Sequence, residues 1–376
     1  MGERLWHQHG KQVLVEFPSP ITGGQWRLTA QGVVGYIPLS ATLGLSLVPK
    51  VPIRSLFGML EYAYGLQAFQ ILGGQYDALS IEELYERLAE VLARRVLRRC
   101  RDGLVRSYVT ETTELGVVRG NLNVRRMAQR PWDPRIECTY QEHTADIDDN
   151  QILAWTMWVI GRSGLCRPER ALPFVRQAFR QLQGAVTVIP VTPADCVGRR
   201  YHRLNSDYAP LHALCRFLLE HSGPNHTVGD HAMLPFLVDM ARLYEQFVVA
   251  WLREHLPASI VLTAQERYDI DRASNLTFAI DVVLRDAVSR KVHCVLDTKY
   301  KRVSTPSTDD IAQVVAYAKA MGCHDAILAY PFPPTRLVDT MIGDVRVRSV
   351  TFALDHDLEV GGMAFLQDIL LRQSRG

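Results

Sequence analysis

Phe278-Ala279-Ile280-Asp281-Val282-Val283-Leu284 and, after seven residues, Val292-His293-Cys294-Val295-Leu296-Asp297-Thr298-Lys299-Tyr300 decide how this chain is read. Both segments are apolar and rich in β-branched residues, as strands are. The length between them suits a hairpin connection. Each carries one aspartate inside an apolar run. Successive side chains of a strand alternate faces, so Asp297 and Lys299 emerge on the same face. Asp281 can join them from the neighbouring strand. Charges in such surroundings are costly unless they are paired or hold a metal.

The grouping suits hydrolysis of a phosphodiester. Two carboxylates offer hard oxygen ligands to Mg²⁺ and leave coordination positions for water and phosphate. Such an ion polarises the phosphate and lowers the pKa of a bound water, while a neighbouring lysine orients that water or meets the developing charge. The competing reading makes both aspartates turn caps or partners of nearby bases. For Asp281 alone that reading is the stronger. Asp297-x-Lys299, following an earlier aspartate strand, favours the site.

Two helices flank the pair. In Met240-Ala241-Arg242-Leu243-Tyr244-Glu245-Gln246-Phe247-Val248-Val249, helical spacing puts Glu245 beside Ala241, Val248 and Val249, an apolar face on which a carboxylate needs a partner. A metal, reached directly or through water, and an ion pair with Arg242 are both open. Downstream, Gln313 and Tyr317 lie four apart in Asp310-Ile311-Ala312-Gln313-Val314-Val315-Ala316-Tyr317 and share a face. Both can hydrogen-bond phosphate oxygens or the groups around a metal.

Further out, residues 1–55 read as strands and turns, with Gln12–Phe17 and Gly32–Pro38 extended about turn chemistry at 18–24. Helices are expected over Ile53–Phe69 and from Ser80 to about Arg101, with Ser80 and Glu83 spaced as a capping box. Leu104–Met127 reads as strands broken at Gly116 and Gly120. Helices follow at roughly 147–161, 168–183, 206–221 and 234–256. A β-rich stretch at 259–300 leads to a helix at 308–321, strands at 326–330 and 345–354, and a last helix at 361–373.

Composition sets outer bounds. The chain has 376 residues, is 47% hydrophobic and 22% charged, and carries a formal charge of only +2. A chain so nearly neutral binds nucleic acid through a local basic groove or through a partner. Arg199, Arg200 and Arg203 are the candidates for contacts to the DNA backbone. Arg94, Arg95, Arg98, Arg99 and Arg101 fit either phosphates or the dipole at a helix end. His221, His226 and His231 lack the usual spacing of a metal site, which favours a structural or solvent role. The cysteines form no C-x-x-C pair, which argues against a zinc ribbon and fits reduced thiols in a cytoplasmic protein. No apolar run approaches the roughly 18 residues of a membrane span. No G-x-x-x-x-G-K-[ST] loop is present, so no nucleotide is expected to bind this chain alone.

In order, Glu245, Asp281, Asp297-Thr298-Lys299 and Gln313-x-x-x-Tyr317 resemble the PD-(D/E)xK nuclease superfamily in its version with a Gln-x-x-x-Tyr helix. The resemblance spans about residues 240–320. Ile280 stands where the motif name has proline, a common departure that leaves the aspartate's role intact. A wider resemblance is carried by Val48-Pro49-Lys50-Val51-Pro52-Ile53, Leu56-Phe57-Gly58-Met59-Leu60, Arg119-Gly120-Asn121-Leu122, Glu137-Cys138-Thr139-Tyr140, Asp146-x-x-x-Asn150 and Arg203-Leu204-Asn205-x-x-Tyr208. These are similar to the McrC family, nuclease subunits of McrBC modification-dependent restriction systems. That resemblance implies an McrB-type AAA+ GTPase hexamer as partner, docking through the N-terminal region, stimulation of its GTPase, and double-stranded DNA as substrate.

The expected architecture is α+β with α/β character. A β-rich, helix-containing partner-docking domain at 1–145 precedes a helix-wrapped endonuclease domain at 146–376, divided into a helical part at 146–235 and a catalytic core at 236–376 with a central mixed sheet. Asp281 and Asp297 bind Mg²⁺ or Mn²⁺, Glu245 completes the site, Lys299 orients the water, and Gln313 and Tyr317 support it. Two rivals stand beside this: a stand-alone nuclease of repair or phage defence, and a non-catalytic adaptor of an AAA+ motor.

Overall fold

The structure is a computed structural model and describes residues 2–39, 43–66, 80–222, 226–228, 231–233, 235–271, 276–355 and 357–370. It is a mixed α+β fold in two compact units, one formed by 1–81 together with 236–376 and the other by 82–235. The expected break at 145–146 does not mark a unit edge, since both residues lie inside 82–235.

The discontinuous unit is closed by strand pairing over long range. Val33–Pro38 lies between Gly44–Leu47 and Phe236–Asp239, antiparallel to both. Gly35 makes this possible: its φ is +144°, and a Cβ there would sit 1.9 Å from Phe236 O. A side chain would wedge the strands apart. Leu5, Val13, Val15, Ile37 and Leu47 form the small core beside it.

The main sheet has six strands: Ile260–Asp271, Leu276–Asp286, Val292–Thr298, Asp325–Tyr330, Val345–Thr351 and, at the far edge, Asp339–Ile342. The first three pair antiparallel, and the third, fourth and fifth run parallel. The sheet is therefore mixed. A parallel step needs a crossover, and the helix Thr308–Ala320 supplies it between Val292–Thr298 and Asp325–Tyr330. Its apolar side, Val314, Tyr317 and Ala318, covers Ile280, Val283, Val295, Ala326, Leu328, Val345 and Val347. The helix Met240–His255 is capped by Asp239, whose carboxylate accepts from the amides of Ala241 and Arg242. Its Phe247 and Trp251 pack on Phe352, which also meets Phe365 of the helix Leu358–Leu370.

In 82–235, the helix Ile81–Asp102 precedes a small sheet of Ser107–Leu115, Asn121–Leu122 and Ile136–Thr144. Helices Asp148–Arg162, Leu172–Gln183 and Tyr208–His221 follow. Among the described residues no helix is long and apolar enough to cross a membrane.

Several local expectations need correction. Gly2–His9 is helical, and Val124–Gln129 is a helix capped by Asn123 rather than the end of a strand. The short strand Asp339–Ile342 was not foreseen; all four of its residues are exposed, so it carries no apolar alternation. Phe236–Asp239, placed in a helix by its apolar run, is a strand, and the helix starts only after the Asp239 cap. The helix at Ile53 ends at Ala63; the expected continuation to 67–69 lies outside the described residues.

Candidate active site

The pairing of Val282 with Leu296 sets Asp281 and Asp297 opposite each other one step further along the ladder. Both face the crossover helix, as Val295 does. Asp297 is 3% exposed. Asp281 is held by the next residue of the partner strand: its Oδ2 accepts from the Thr298 amide and hydroxyl, each at 2.8 Å. Beyond the strand end, the Lys299 amide donates to Ala329 O at 2.8 Å, extending the parallel ladder and fixing the lysine backbone. The pair therefore sits at the carboxyl end of a parallel strand, where open α/β sheets place their ligand crevices.

Lys299 Nζ lies 2.7 Å from Asp297 Oδ2. At that distance the ammonium is the charge-assisted partner of the buried oxygen. The ammonium also donates to Gln313 Oε1 at 2.9 Å, and Gln313 Nε2 donates to the Tyr317 hydroxyl at 2.6 Å. Tyr317 in turn packs edge-on against Phe278, with ring centres 5.1 Å apart. Asp297, Lys299, Gln313 and Tyr317 thus form a continuous chain from sheet to helix. Their i, i+4 spacing puts the last two on one helix face.

Glu245 is half-buried and accepts a hydrogen bond from Gln265, a residue of the edge strand with φ +50°. Burial first, then the charges of Asp281 and Asp297, raise its pKa to about 6 against the pull of Gln265 and Arg242. Burial and Asp281 likewise raise Asp297 to about 6, outweighing Lys299. Burial alone would lower Lys299, but Asp297, Asp310 and Asp281 hold it above the ordinary ammonium value. The same ion pair thus shifts its partners unequally, because the carboxylate is the more deeply buried. Three acids that repel one another in a low-dielectric place lower their common cost by taking up protons or a cation.

Asp281 and Asp297 offer the oxygen chemistry that a hard divalent cation takes. Among the described residues no three His, Cys, Asp or Glu side chains converge as a closed ligand set.

Three participants escaped sequence reasoning. Thr298 is the middle residue of Asp-x-Lys, and Gln265 sits at an irregular point of its strand. Asp310 reads from sequence as an ordinary acid in a first helical turn. It is 8% exposed, forms an ion pair with Lys301, and lies 3.9 Å from Lys299 Nζ through Oδ1.

Arg199, Arg200 and Arg203 belong to the other unit. Arg199 Nη1 is 3.1 Å from Asp148 and 3.4 Å from Asp149, so it is engaged in holding that unit. Arg200 and Arg203 are exposed. Asn205 Oδ1 accepts from the His202 amide, and the next helix begins after Asp207. Other quoted segments of 82–235 are structural. Arg119 lies 3.8 Å over the Tyr140 ring, and Tyr208 donates to Asn150 at 2.6 Å.

Residues 28–331 match the model of the McrBC 5-methylcytosine restriction system component, a span that contains the whole cluster from Glu245 to Tyr317. The chain belongs to that family. A relative of this McrBC family member in Escherichia coli K12, the type IV methyl-directed restriction enzyme EcoKMcrBC, is 22% identical over 265 residues, 67% of this chain and 74% of the relative. Among solved structures, one chain of a tetradecameric assembly of Thermococcus gammatolerans McrB AAA+ hexamers with bound McrC aligns with a TM-score of 0.59 and 19% identity. The alignment covers 95% of this chain and 86% of that one. This likeness supports the fold. A chain of the cryo-EM Thermococcus gammatolerans McrBC complex aligns over 62% of this chain and 69% of its own at 21% identity, with a TM-score of 0.41.

Proposed function

We propose that this protein is the McrC-type endonuclease subunit of a McrBC-like restriction system, cutting double-stranded DNA at a PD-(D/E)xK centre. The observation that carries the reading is the meeting of Asp281, Asp297 and Lys299 on one face of adjacent strands, with Asp297 buried against the Lys299 ammonium. Glu245, which feels the charges of Asp281 and Asp297, and Gln313 with Tyr317, bonded in series to Lys299, add support.

A Mg²⁺ or Mn²⁺ ion bound by Asp281 and Asp297 supplies Lewis-acid polarisation of the scissile phosphate and a lowered water pKa. The protein's part is placement. Thr298 fixes the Asp281 carboxylate. Gln313, itself held by Tyr317, limits the rotamers of Lys299, so that the ammonium can donate to the attacking water or to a phosphoryl oxygen. Glu245, with its pKa near 6, can accept a hydrogen bond or a proton from solvent at the edge of the cluster. DNA-backbone contacts from exposed Arg200 and Arg203 would be of the positioning kind.

The family and the McrB AAA+ hexamers in the structural neighbour's assembly support an AAA+ partner; that it is a GTPase which this chain stimulates is what the McrC resemblance implies. Cleavage of modified and unmodified plasmids, with Mg²⁺ and GTP, tests the proposal. The chain alone, the chain with its McrB-type partner, and the same mixture with Asp297→Ala are compared. Cleavage in the wild-type mixture alone is the expected result. Efficient cleavage by the isolated chain points to a self-sufficient nuclease. Undiminished cleavage by the Asp297→Ala mixture rejects the centre. GTPase stimulation without cleavage in any mixture makes the chain an adaptor.

A further inference from the structure

Lys299 stands between two carboxylates. Its Nζ is 2.7 Å from Asp297 Oδ2 and 3.9 Å from Asp310 Oδ1. The nearer oxygen is buried with the ammonium against it, so a cation that takes this oxygen must displace Lys299. An ammonium and a divalent cation cannot both occupy contact distance from it, because like charges so close repel strongly in a partly buried site. The ammonium therefore needs a second place to go, one that keeps it beside the reaction.

Asp310 provides such a place. It is fixed from two directions. The Ser307 hydroxyl accepts from its amide at 3.2 Å, which sets the first turn of the crossover helix. Lys301 holds its Oδ2. Oδ1 lies on the side of Lys299, and the Tyr330 hydroxyl stands beside the same carboxylate. A movement of about 1 Å would bring Nζ to an ordinary charge-assisted distance of about 2.8 Å. Gln313 Oε1, at 2.9 Å, can follow the ammonium through that movement because Gln313 is an exposed side chain.

We propose, resting on the cation-dependent reading above, that Asp310 is a positioning residue which draws Lys299 off Asp297 when a divalent cation takes that carboxylate. Lys299 is thus a resident counter-ion of the empty site and an active-site donor in the loaded one. A plain alternative use for Asp310 is as a first-turn acid that only stabilises its helix. The two uses differ in whether the effect of Asp310 passes through Lys299.

The test is calorimetric titration of the full chain with Mn²⁺ and Mg²⁺, with thermal melts to verify folding. The proteins are wild type, Lys299→Met, Asp310→Asn and the double variant. Lys299→Met should bind the cation more tightly, since the competing ammonium is gone. Asp310→Asn should bind about 10- to 100-fold more weakly than wild type, the usual range for a partner behind a metal ligand. In the Lys299→Met background the same change should cost at least tenfold less. Asp310→Glu, which keeps the charge, should fall near wild type and serves if the Asn protein does not fold. An equal penalty in both backgrounds overturns the proposal, because Asp310 then acts without Lys299. A folded wild type and Lys299→Met that both bind no cation overturn the cation-dependent reading itself, and this inference with it.

Discussion

Two buried polar networks, one in each unit, are built to opposite rules. In 82–235, Asn150 donates to the carbonyls of Val105 and Ala145 at 2.9 and 2.7 Å and accepts from Tyr208 at 2.6 Å. His212 bridges Tyr201 and the Asp149 carbonyl at 2.9 Å each. Every one of these groups is neutral or neutralised, and each bond is directed. Around Asp297 the groups are charged, three acids repel one another, and the one ammonium at Asp297 does not balance them. A satisfied network holds a structure together. An unbalanced, charged one of similar burial costs stability, and its retention marks chemistry.

The sharpest way to break this contrast is Asp297→Ala. Cleavage by the complete assembly should fall on the order of 10³-fold or more, the several kcal/mol that a metal-binding carboxylate controls. The melting temperature of the chain without metal should stay level or rise, because an acid with a raised pKa is removed. A plasmid assay and a thermal melt measure both. A large drop in stability with cleavage retained would make Asp297 a structural residue like Asn150.

The parts of this centre that could be read in the sequence are those whose geometry is local. Asp297 and Lys299 are two apart in a strand, and Gln313 and Tyr317 four apart in a helix; both spacings fix a shared face. The mixed sheet followed from apolar strands separated by a helical segment. What escaped depends on distant chain. Phe236–Asp239 reads as the start of a helix, and only its partner Val33–Pro38, some 200 residues earlier, makes it a strand. That pairing also explains why 1–81 joins 236–376, which no composition shift announces. Asp310 looked like any acid near a capped helix start, and its proximity to Lys299 arises only once the crossover folds back over the sheet. Glu245 was legible as a carboxylate on an apolar face, but Gln265, which holds it, sits at a left-handed backbone position inside a strand.

Asn150→Leu tests the other side of the comparison. It strands the Tyr208 hydroxyl and two carbonyls, and should cost roughly 2–4 kcal/mol. Hydrogen exchange in the helix Asp148–Arg162 reads the loss where it arises. Exchange in Val292–Thr298 should change far less. A uniform loss across both units would show that they unfold as one.

Adding Mg²⁺ should stabilise the wild-type chain by about 2.7 kcal/mol at a hundred times its dissociation constant, as for any ligand that binds only the folded form. Asp297→Ala should show no such gain, and Asn150→Leu should show the same gain as wild type from its lower base. An identical gain in Asp297→Ala would place the stabilising ion elsewhere.

The smallest expected effect is in pH dependence, where the two networks should differ in sign. Asp297 is raised from 3.8 to about 6, chiefly by burial and Asp281. In the metal-free fold its contribution is full below its ordinary pKa and is lost as the pH rises through about 6. His212 is lowered from 6.5 by burial, with Arg199 adding and Asp149 opposing. Unfolding lets it take up a proton, so its contribution is present above 6.5 and is lost as the pH falls below that value. Asp297→Asn should therefore remove part of the decline toward neutral pH, and His212→Gln part of the decline toward acid. Melting curves from pH 5 to 8 without divalent ions separate them. Mg²⁺ should abolish the first effect, since a bound cation favours the ionised Asp297, and leave the second untouched. If both variants flatten the same limb, the two networks do not follow opposite rules.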